Sequence, residues 1–298
     1  MANILITGIE SFVGRVLKNK INTKHKIYGI DKISFSKSTY KLDINSKKVA
    51  DIIKKHKIDI IIHLAAISRD EDCKKDVHSC MKNNVLGTIN LISQAKKYKV
   101  KQFIFASTEW VYNFENERET KKENDIININ RINSEYALSK LISENNLRQF
   151  YTNHNFMDIT ILRFGIIYGN RLTNFSAVES LFMKVKNNEN INIGSLKTSR
   201  QFIHVNDIVR GIIKSFNLKG FNILNLQGNY SITLKEILNC SINITGNKIK
   251  IYESNKGNPS IRKVSNLKAT KLIKFRSKIT VNEGLKDFNK YISRINQK

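Results

Sequence analysis

The chain has 298 residues, 51 Lys and Arg against 25 Asp and Glu (formal charge +26), and 41% hydrophobic residues, which suffices for a substantial core in one large α/β domain with or without an appendage. No apolar run approaches the roughly 20 residues that span a bilayer, and Cys73, Cys80 and Cys240, unevenly spaced and without a Cys-x-x-Cys, argue against a disulfide framework or a zinc site and fit a reducing cytoplasm. The positive charge is scattered in pairs such as Lys47-Lys48 and Lys96-Lys97 amid abundant Ile and Asn; this reads as compositional drift, because clustering and not net charge is the footprint of nucleic-acid binding.

The chain enters an apolar run at residues 3–7 with no charged leader, so no signal peptide is expected. That run reads as a buried strand ending at Gly8. The segment Gly8-Ile9-Glu10-Ser11-Phe12-Val13-Gly14 then turns into a helical pattern. A glycine-rich turn between strand and helix is where backbone amides meet a dinucleotide pyrophosphate. A second strand, 26–30, ends at Asp31, placed to bond an adenosine ribose and to repel a 2′-phosphate, so NAD is expected over NADP.

A helix is predicted over 45–57, a strand over 58–64 running into Ala65-Ala66, one long helix over about 77–98 and a strand over 102–106. His63 reads as a structural strand-end histidine. The alternation implies a parallel sheet covered on both faces, with ligands at the carboxyl ends of its strands. Ser107-Thr108-Glu109-Trp110 sits at such an end. Residues 113–133 read as a polar loop, followed by a helix that Asn133 or Ser134 can cap and a strand over 159–164. Beyond Arg163 the pattern loosens. Helices are predicted at 177–186, after a capping Asn206, at 234–238 and at 282–292, and strands at 191–193 and 221–226.

The helix after Ser134 carries Tyr136 and Lys140, four apart and therefore on one face. A phenol is a poor base at neutral pH. A nearby lysine cation favours the phenolate, which would make the pair a proton acceptor for a substrate hydroxyl. Alone, Tyr-x-x-x-Lys is ordinary helix surface.

Taken together, Thr7-Gly8…Gly14, Asp31, His63-Leu64-Ala65-Ala66, Asn84…Gly87-Thr88, Ser107-Thr108, Tyr136…Lys140, Arg163…Tyr168-Gly169 and Arg200…Asp207 resemble, in order and over nearly the whole chain, the extended short-chain dehydrogenase/reductase family in its NAD-dependent epimerase/dehydratase branch. The resemblance implies a Rossmann-type doubly wound parallel sheet over residues 1–165, with a return segment near 200–226. It implies a smaller C-terminal substrate-binding lobe from 166–199 and 227–298. It makes Tyr136 the base, Lys140 the residue that holds the nicotinamide ribose and lowers the tyrosine pKa, and Thr108 the group that orients the sugar hydroxyl. NAD contacts are implied at Gly8, Ser11, Phe12, Val13, Gly14, Asp31, Asp43, Ile44, Leu64, Ala65, Ala66 and Ser107. Substrate contacts are implied at Asn84, Glu109, Trp110, Arg171, Arg200 and Arg262, with Arg200 on a nucleotide-sugar diphosphate. No metal is implied. A homodimer through the helices before and including Tyr136 is expected.

The resemblance leaves three readings. A 4-epimerase needs only Thr108, Tyr136, Lys140 and bound NAD. A 4,6-dehydratase would carry Asp-Glu after the threonine, whereas Glu109-Trp110 stands here, and indole does no acid–base work; a ketoreductase would need exchangeable reduced cofactor. A non-catalytic NAD- or RNA-binding regulator suits the charge but has no need of the trio. Ile166 and Asn255 stand where the family often places a diphosphate-binding Asn and Arg, with Arg262 and Lys263 nearby as substitutes. The expected activity is a cytoplasmic nucleotide-sugar epimerase acting at C4, in surface-polysaccharide synthesis.

Overall fold

A computed structural model of the chain describes residues 1–33, 39–112, 114 and 119–296. The first half alternates strand and helix: β1 Asn3–Thr7, α1 Phe12–Ile21, β2 Lys26–Asp31, β3 Thr39–Lys41, α2 Val49–Lys55, β4 Ile60–His63, α3 Asp70–Lys75 and α4 Val77–Met81. A π-helical turn, Lys82–Leu86, joins α4 to α5 Gly87–Lys97, and β5 Gln102–Thr108 runs into a 3-10 turn, Glu109–Val111. Then come β6 Thr120–Lys121, α6 Glu135–His154 and β7 Asp158–Phe164. The remainder holds β8 Ile167–Tyr168, α7 Ala177–Lys186, β9 Ile191–Ile193, β10 Ser199–Arg200, β11 Ile203–His204, α8 Val205–Lys214, β12 Phe221–Leu226 and β13 Ile232–Thr233. It closes with α9 Leu234–Thr245, β14 Ile251–Glu253, β15 Lys263–Val264, α10 Leu267–Ile273 and α11 Val281–Asn296.

Seven strands form the main sheet in the order β12-β7-β5-β4-β1-β2-β3. The pairs β3–β2, β2–β1, β1–β4 and β4–β5 are parallel. The chain leaves β1 for β2 on one side and returns to β4 on the other, so a topological switch point lies where Thr7 and His63 end their strands, the place where such sheets open a crevice for ligands. The continuous apolar runs have a direct cause: parallel strands are covered on both faces. Leu5, Ile61, Phe103, Phe105, Ile159 and Ile161 share one buried cluster with Ile52, Ile53, Leu91, Ile92 and Leu147 of the helices.

Chain contacts group into two units. One is Met1–Asn113, Asn124–Arg163 and Val209–Leu224; the other is Phe114–Glu123, Phe164–Ile208 and Asn225–Lys298. The second unit therefore takes Phe114–Glu123 out of the span 1–165, through the pairing of β6 with β15. It has its own core around Tyr168, Val178, Phe182, Ile237, Leu285 and Phe288.

Several elements depart from the sequence reading. The helix expected over 77–98 is interrupted by the π turn, and the short helix α3, with acids Asp70, Glu71 and Asp72 in its first turn, carries no apolar period that would reveal it. Residues 45–57 shrink to Val49–Lys55. Asn206 lies inside α8 rather than capping it. The helices expected at 234–238 and 282–292 extend to Thr245 and Asn296. The loop at 113–133 contains β6 and a 3-10 turn at Ile129–Arg131; its residues 113 and 115–118 lie outside the described residues.

Candidate active site

The turn after β1 is shaped by two glycines for different reasons. Gly8 adopts φ +71°, and a Cβ there would stand 2.7 Å from Ala65 N; both dihedral and space bar a side chain. Gly14 serves packing, since its Cβ would lie 2.3 Å from the Gly8 carbonyl oxygen. The Ser11 hydroxyl caps α1 by accepting from Gly14 N at 3.1 Å.

Over this turn lies a cavity of about 260 Å³ whose lining includes Gly8, Ser11, Asp31, Ile44, Leu64, Ala65 and Ala66. Glu10 and Asn83, which the sequence reading did not single out, also line it. Phe12, Val13, Gly14, Asp43 and Ser107 are not among its lining residues. The Asp31 carboxylate accepts from Glu10 N at 2.9 Å and from Ile33 N at 3.3 Å, which holds it at the tip of β2 facing the glycine turn. Asp43 accepts twice from Asn45, at 2.8 and 2.9 Å, and pairs with Lys32 at 3.5 Å. Burial raises its pKa, but the Asn45 bonds and Lys32 prevail and hold the carboxyl below its ordinary value. A turn with no side chain at Gly8, the N-terminus of α1 beside it and a carboxylate at the tip of β2 fit a dinucleotide.

The end of β5 and the start of α6 bring the second group together. Ser134 caps α6 by accepting from Ala137 N at 3.1 Å. The Asp70 carboxylate accepts from the Ser134 hydroxyl at 2.6 Å and from Tyr136 N at 3.3 Å, so the otherwise featureless α3 anchors the helix that carries the tyrosine. Tyr136 is half-buried and its phenol shares a hydrogen bond with Thr108. Lys140 is 2% exposed. Its ammonium donates to the Ala106 carbonyl at 2.8 Å and lies 4.6 Å from the centre of the Phe105 ring and 6.0 Å from that of Tyr136. Burial pushes the Lys140 pKa down to about 8, against the opposing pull of Cys80, Glu144 and Cys73.

The expectation that Lys140 lowers the tyrosine pKa needs correction. Burial dominates and raises the phenol, and the Thr108 hydrogen bond is what opposes the rise. The physical reason is that the ammonium is turned toward β5 and donates to a carbonyl there.

Other predicted residues are committed elsewhere. Asn84 is 1% exposed, and its amide bonds Ile67 N, Ile67 O and the Ser139 hydroxyl at 2.9, 3.0 and 2.9 Å; it braces α6 instead of presenting itself to a substrate. The Ser107 hydroxyl points inward and donates to Glu144 at 2.5 Å. Glu109 is 2% exposed, whereas Trp110 is 40% exposed and donates its backbone N–H to the Thr108 hydroxyl at 3.2 Å. In the second unit, Arg171 pairs with buried Glu179 at 2.7 Å. Arg200 donates to the Ser199 and Ser260 carbonyls at 2.7 and 2.6 Å and to the Ser260 hydroxyl at 3.0 Å. Arg262 lies 5.1 Å from the centre of the Phe114 ring. His63 is buried between the Thr7 and Thr88 hydroxyls, 2.7 and 3.0 Å away, a structural role that matches the reading from sequence.

The sequence reading missed Glu144 and gave Arg163 no role. Their side chains, 3% and 4% exposed, form a buried pair closed at 2.6, 3.0 and 3.3 Å. The available signals were an acid four residues beyond Lys140 and a cation inside the apolar run 159–164. Among the described residues no group of three or more His, Cys, Asp or Glu could hold a metal, and no helix is long and apolar enough to cross a membrane.

Comparison with known proteins gives this geometry a context. The chain is 26% identical to a UDP-glucuronate 4-epimerase of Thermodesulfobacterium geofontis over 96% of its own length and 94% of the relative's. It is 27% identical to a dTDP-D-glucose 4,6-dehydratase of Dictyostelium discoideum over 80% of its length, a match that spans 62% of that protein. The fold superposes on the crystal structure of a Thermotoga maritima UDP-glucose 4-epimerase with UDP-glucose at a TM-score of 0.88, with 23% identity and 99% of both chains covered. The profile of the NAD dependent epimerase/dehydratase family matches residues 4–225, and the chain belongs to that family.

Proposed function

We propose that this protein is an NAD-dependent nucleotide-sugar epimerase that inverts C4 through a transient 4-keto sugar. The observation that carries the reading is the convergence of Thr108, Tyr136 and Lys140 at the end of β5 and the start of α6, in the same unit as the cavity over the glycine turn. When bound, NAD supplies uptake and return of hydride. Gly8, Ser11, Asp31, Ile44, Leu64, Ala65 and Ala66 would hold it. Thr108 orients the sugar hydroxyl, and Tyr136 accepts its proton and later returns it. Lys140 supplies positive charge beside the phenol. Burial raises the free phenol and the Thr108 hydrogen bond opposes the rise, so Tyr136 accepts the proton within the hydrogen bonds it shares with Thr108 and the substrate hydroxyl.

The epimerase reading is favoured over dehydration by Trp110, which stands where the dehydratases of the family carry an acid and whose indole N–H is a donor that does no acid–base work. The epimerases among the relatives and structural neighbours support it too. A nucleotide sugar is the proposed substrate, a homodimer the proposed assembly and a reducing compartment the proposed setting, in line with three free cysteines. The test is to unfold the purified protein, identify any released dinucleotide, and follow a panel of nucleotide sugars with the native protein by NMR. Stoichiometric NAD with interconversion of two C4 epimers is the expected result. A 4-keto-6-deoxy product would establish the dehydratase instead.

A further inference from the structure

We infer that Glu144 is a positioning residue for the Thr108–Tyr136–Lys140 group, acting through Ser107 and through the charge of Lys140; this rests on the reading just given. Glu144 lies one helical turn beyond Lys140 on α6. Its carboxylate accepts from the Ser107 hydroxyl at 2.5 Å, and Ser107 precedes Thr108 at the end of β5. One carboxylate therefore ties the strand that presents Thr108 to the helix that presents Tyr136 and Lys140. Arg163 of β7 holds the same carboxylate through its Nε and Nη2 atoms, and its guanidinium lies 4.8 Å from the centre of the Tyr112 ring. Strand end, helix and neighbouring strand are thus locked at one buried point.

The second part of the inference concerns charge. The groups facing Lys140 come from four elements: His63 on β4, Cys73 on α3, Cys80 on α4, and Tyr136 and Glu144 on α6 itself. The 3-10 turn against α6 carries buried Glu109, and Lys82 of the π turn is exposed. His63 is driven neutral by burial and by Lys140, and the Cys73 thiol is pushed up by burial. Of the groups that oppose loss of the Lys140 proton, Cys80 comes first, Glu144 next and Cys73 last, and Glu144, one helical turn away, is the carboxylate among them. A cation buried to this degree loses its proton readily without a counter-charge.

The test compares Glu144→Gln with the double variant Glu144→Gln/Arg163→Met and with Ser107→Ala. The double variant removes both buried charges, so it folds where the single one, leaving Arg163 buried without its carboxylate, can fail. Two readouts are followed: the pH profiles of kcat and KM, and the titration of Lys140 by nitrogen NMR of isotopically labelled lysine. With Glu144 neutralised, the alkaline limb of kcat and the Lys140 midpoint should both move toward acid, by about one pH unit in Glu144→Gln and by less in the double variant, which removes a positive charge as well, with KM little changed. Ser107→Ala should lower kcat about tenfold without moving the limb. Unmoved limb and midpoint in a folded Glu144→Gln or double variant would overturn the inference and leave the pair as scaffold only. Should Tyr136→Phe retain turnover, the functional reading falls, and the lysine titration still decides the role of Glu144.

Discussion

Replacing Lys140 with Met separates stability from function in a way that can be worked out from its surroundings. The side chain is 2% exposed and its ammonium has one carbonyl partner, Ala106, at 2.8 Å. Burial lowers its pKa from 10.5 to about 8. At about 1.4 kcal/mol for each tenfold change in proton affinity, the charged form costs the fold about 3 kcal/mol. The unfolded chain keeps this proton up to its ordinary pKa while the folded chain gives it up from about 8. Between those values the unfolded state binds more protons, so the stability of the wild type rises with pH there. Below pH 8 the cost is present in full, and above 10.5 it has vanished. Methionine has the length and lacks the charge. Losing the bond to Ala106 costs about 2 kcal/mol at every pH. The variant should therefore be within about 1 kcal/mol of the wild type, or slightly more stable, at pH 7. It should fall behind by about 3 kcal/mol more as pH rises to 10.5, because only the wild type gains. Urea unfolding followed by circular dichroism, at matched pH values for both proteins, reads this difference directly, and groups common to both chains cancel. A difference that stays flat across that range would refute the claim that Lys140 is buried as a cation near pH 7. Turnover should be lost at every pH.

Three other substitutions probe separate parts of the site. Tyr136→Phe should abolish interconversion while the purified protein still releases its dinucleotide on unfolding; retained turnover would remove the phenol from the chemistry. Asp31→Ala should weaken NAD about tenfold and relax discrimination against NADP by a similar factor, read by calorimetry, since it removes the carboxylate at the tip of β2; unchanged affinities for both would show that the carboxylate does not meet the ribose. Gly14→Ala places a Cβ 2.3 Å from a backbone oxygen, so α1 must shift: thermal melting should show a loss of about 3 kcal/mol or more, and a wild-type melting point would mean that the turn yields easily.

Much of the sheet was legible because its physics is local and repetitive. The runs at β1, β4 and β5 are apolar without alternation, as strands covered on both faces must be, and glycine and Asp31 punctuate them where the chain turns. Helix α6 shows the opposite situation. The buried face of α6 carries Ser139, Lys140, Ser143 and Glu144, each satisfied by a partner distant in sequence or by its own turn. The apolar spacing of Ala137 and Leu141 marks the helix, but buried polar residues among them do not register in a hydrophobic period, so nothing singled out Glu144. Its partner Arg163 sits in the apolar strand β7, where a cation signals burial without saying with what.

Asn84 illustrates a related limit. A resemblance can mark a position as important without saying whether it touches a ligand or braces the residues that do, and here its amide is taken up by Ile67 and Ser139. The glycine turn divides in the same manner. Gly8 and Gly14 look equivalent in sequence, but one clears a cavity wall and the other seats a helix. Asp70 was hidden because a six-residue acidic helix has no pattern of its own; only the capping of α6 gives it purpose.

The account stands on hydride leaving C4 of a nucleotide sugar and returning to the same carbon from the other side without escaping the protein. The direct measurement is NMR of a UDP-hexose deuterated at C4, incubated with the purified protein and no added dinucleotide. Inverted product that keeps its deuterium is the expected result; no inversion, or inversion with the label lost to solvent, would contradict it.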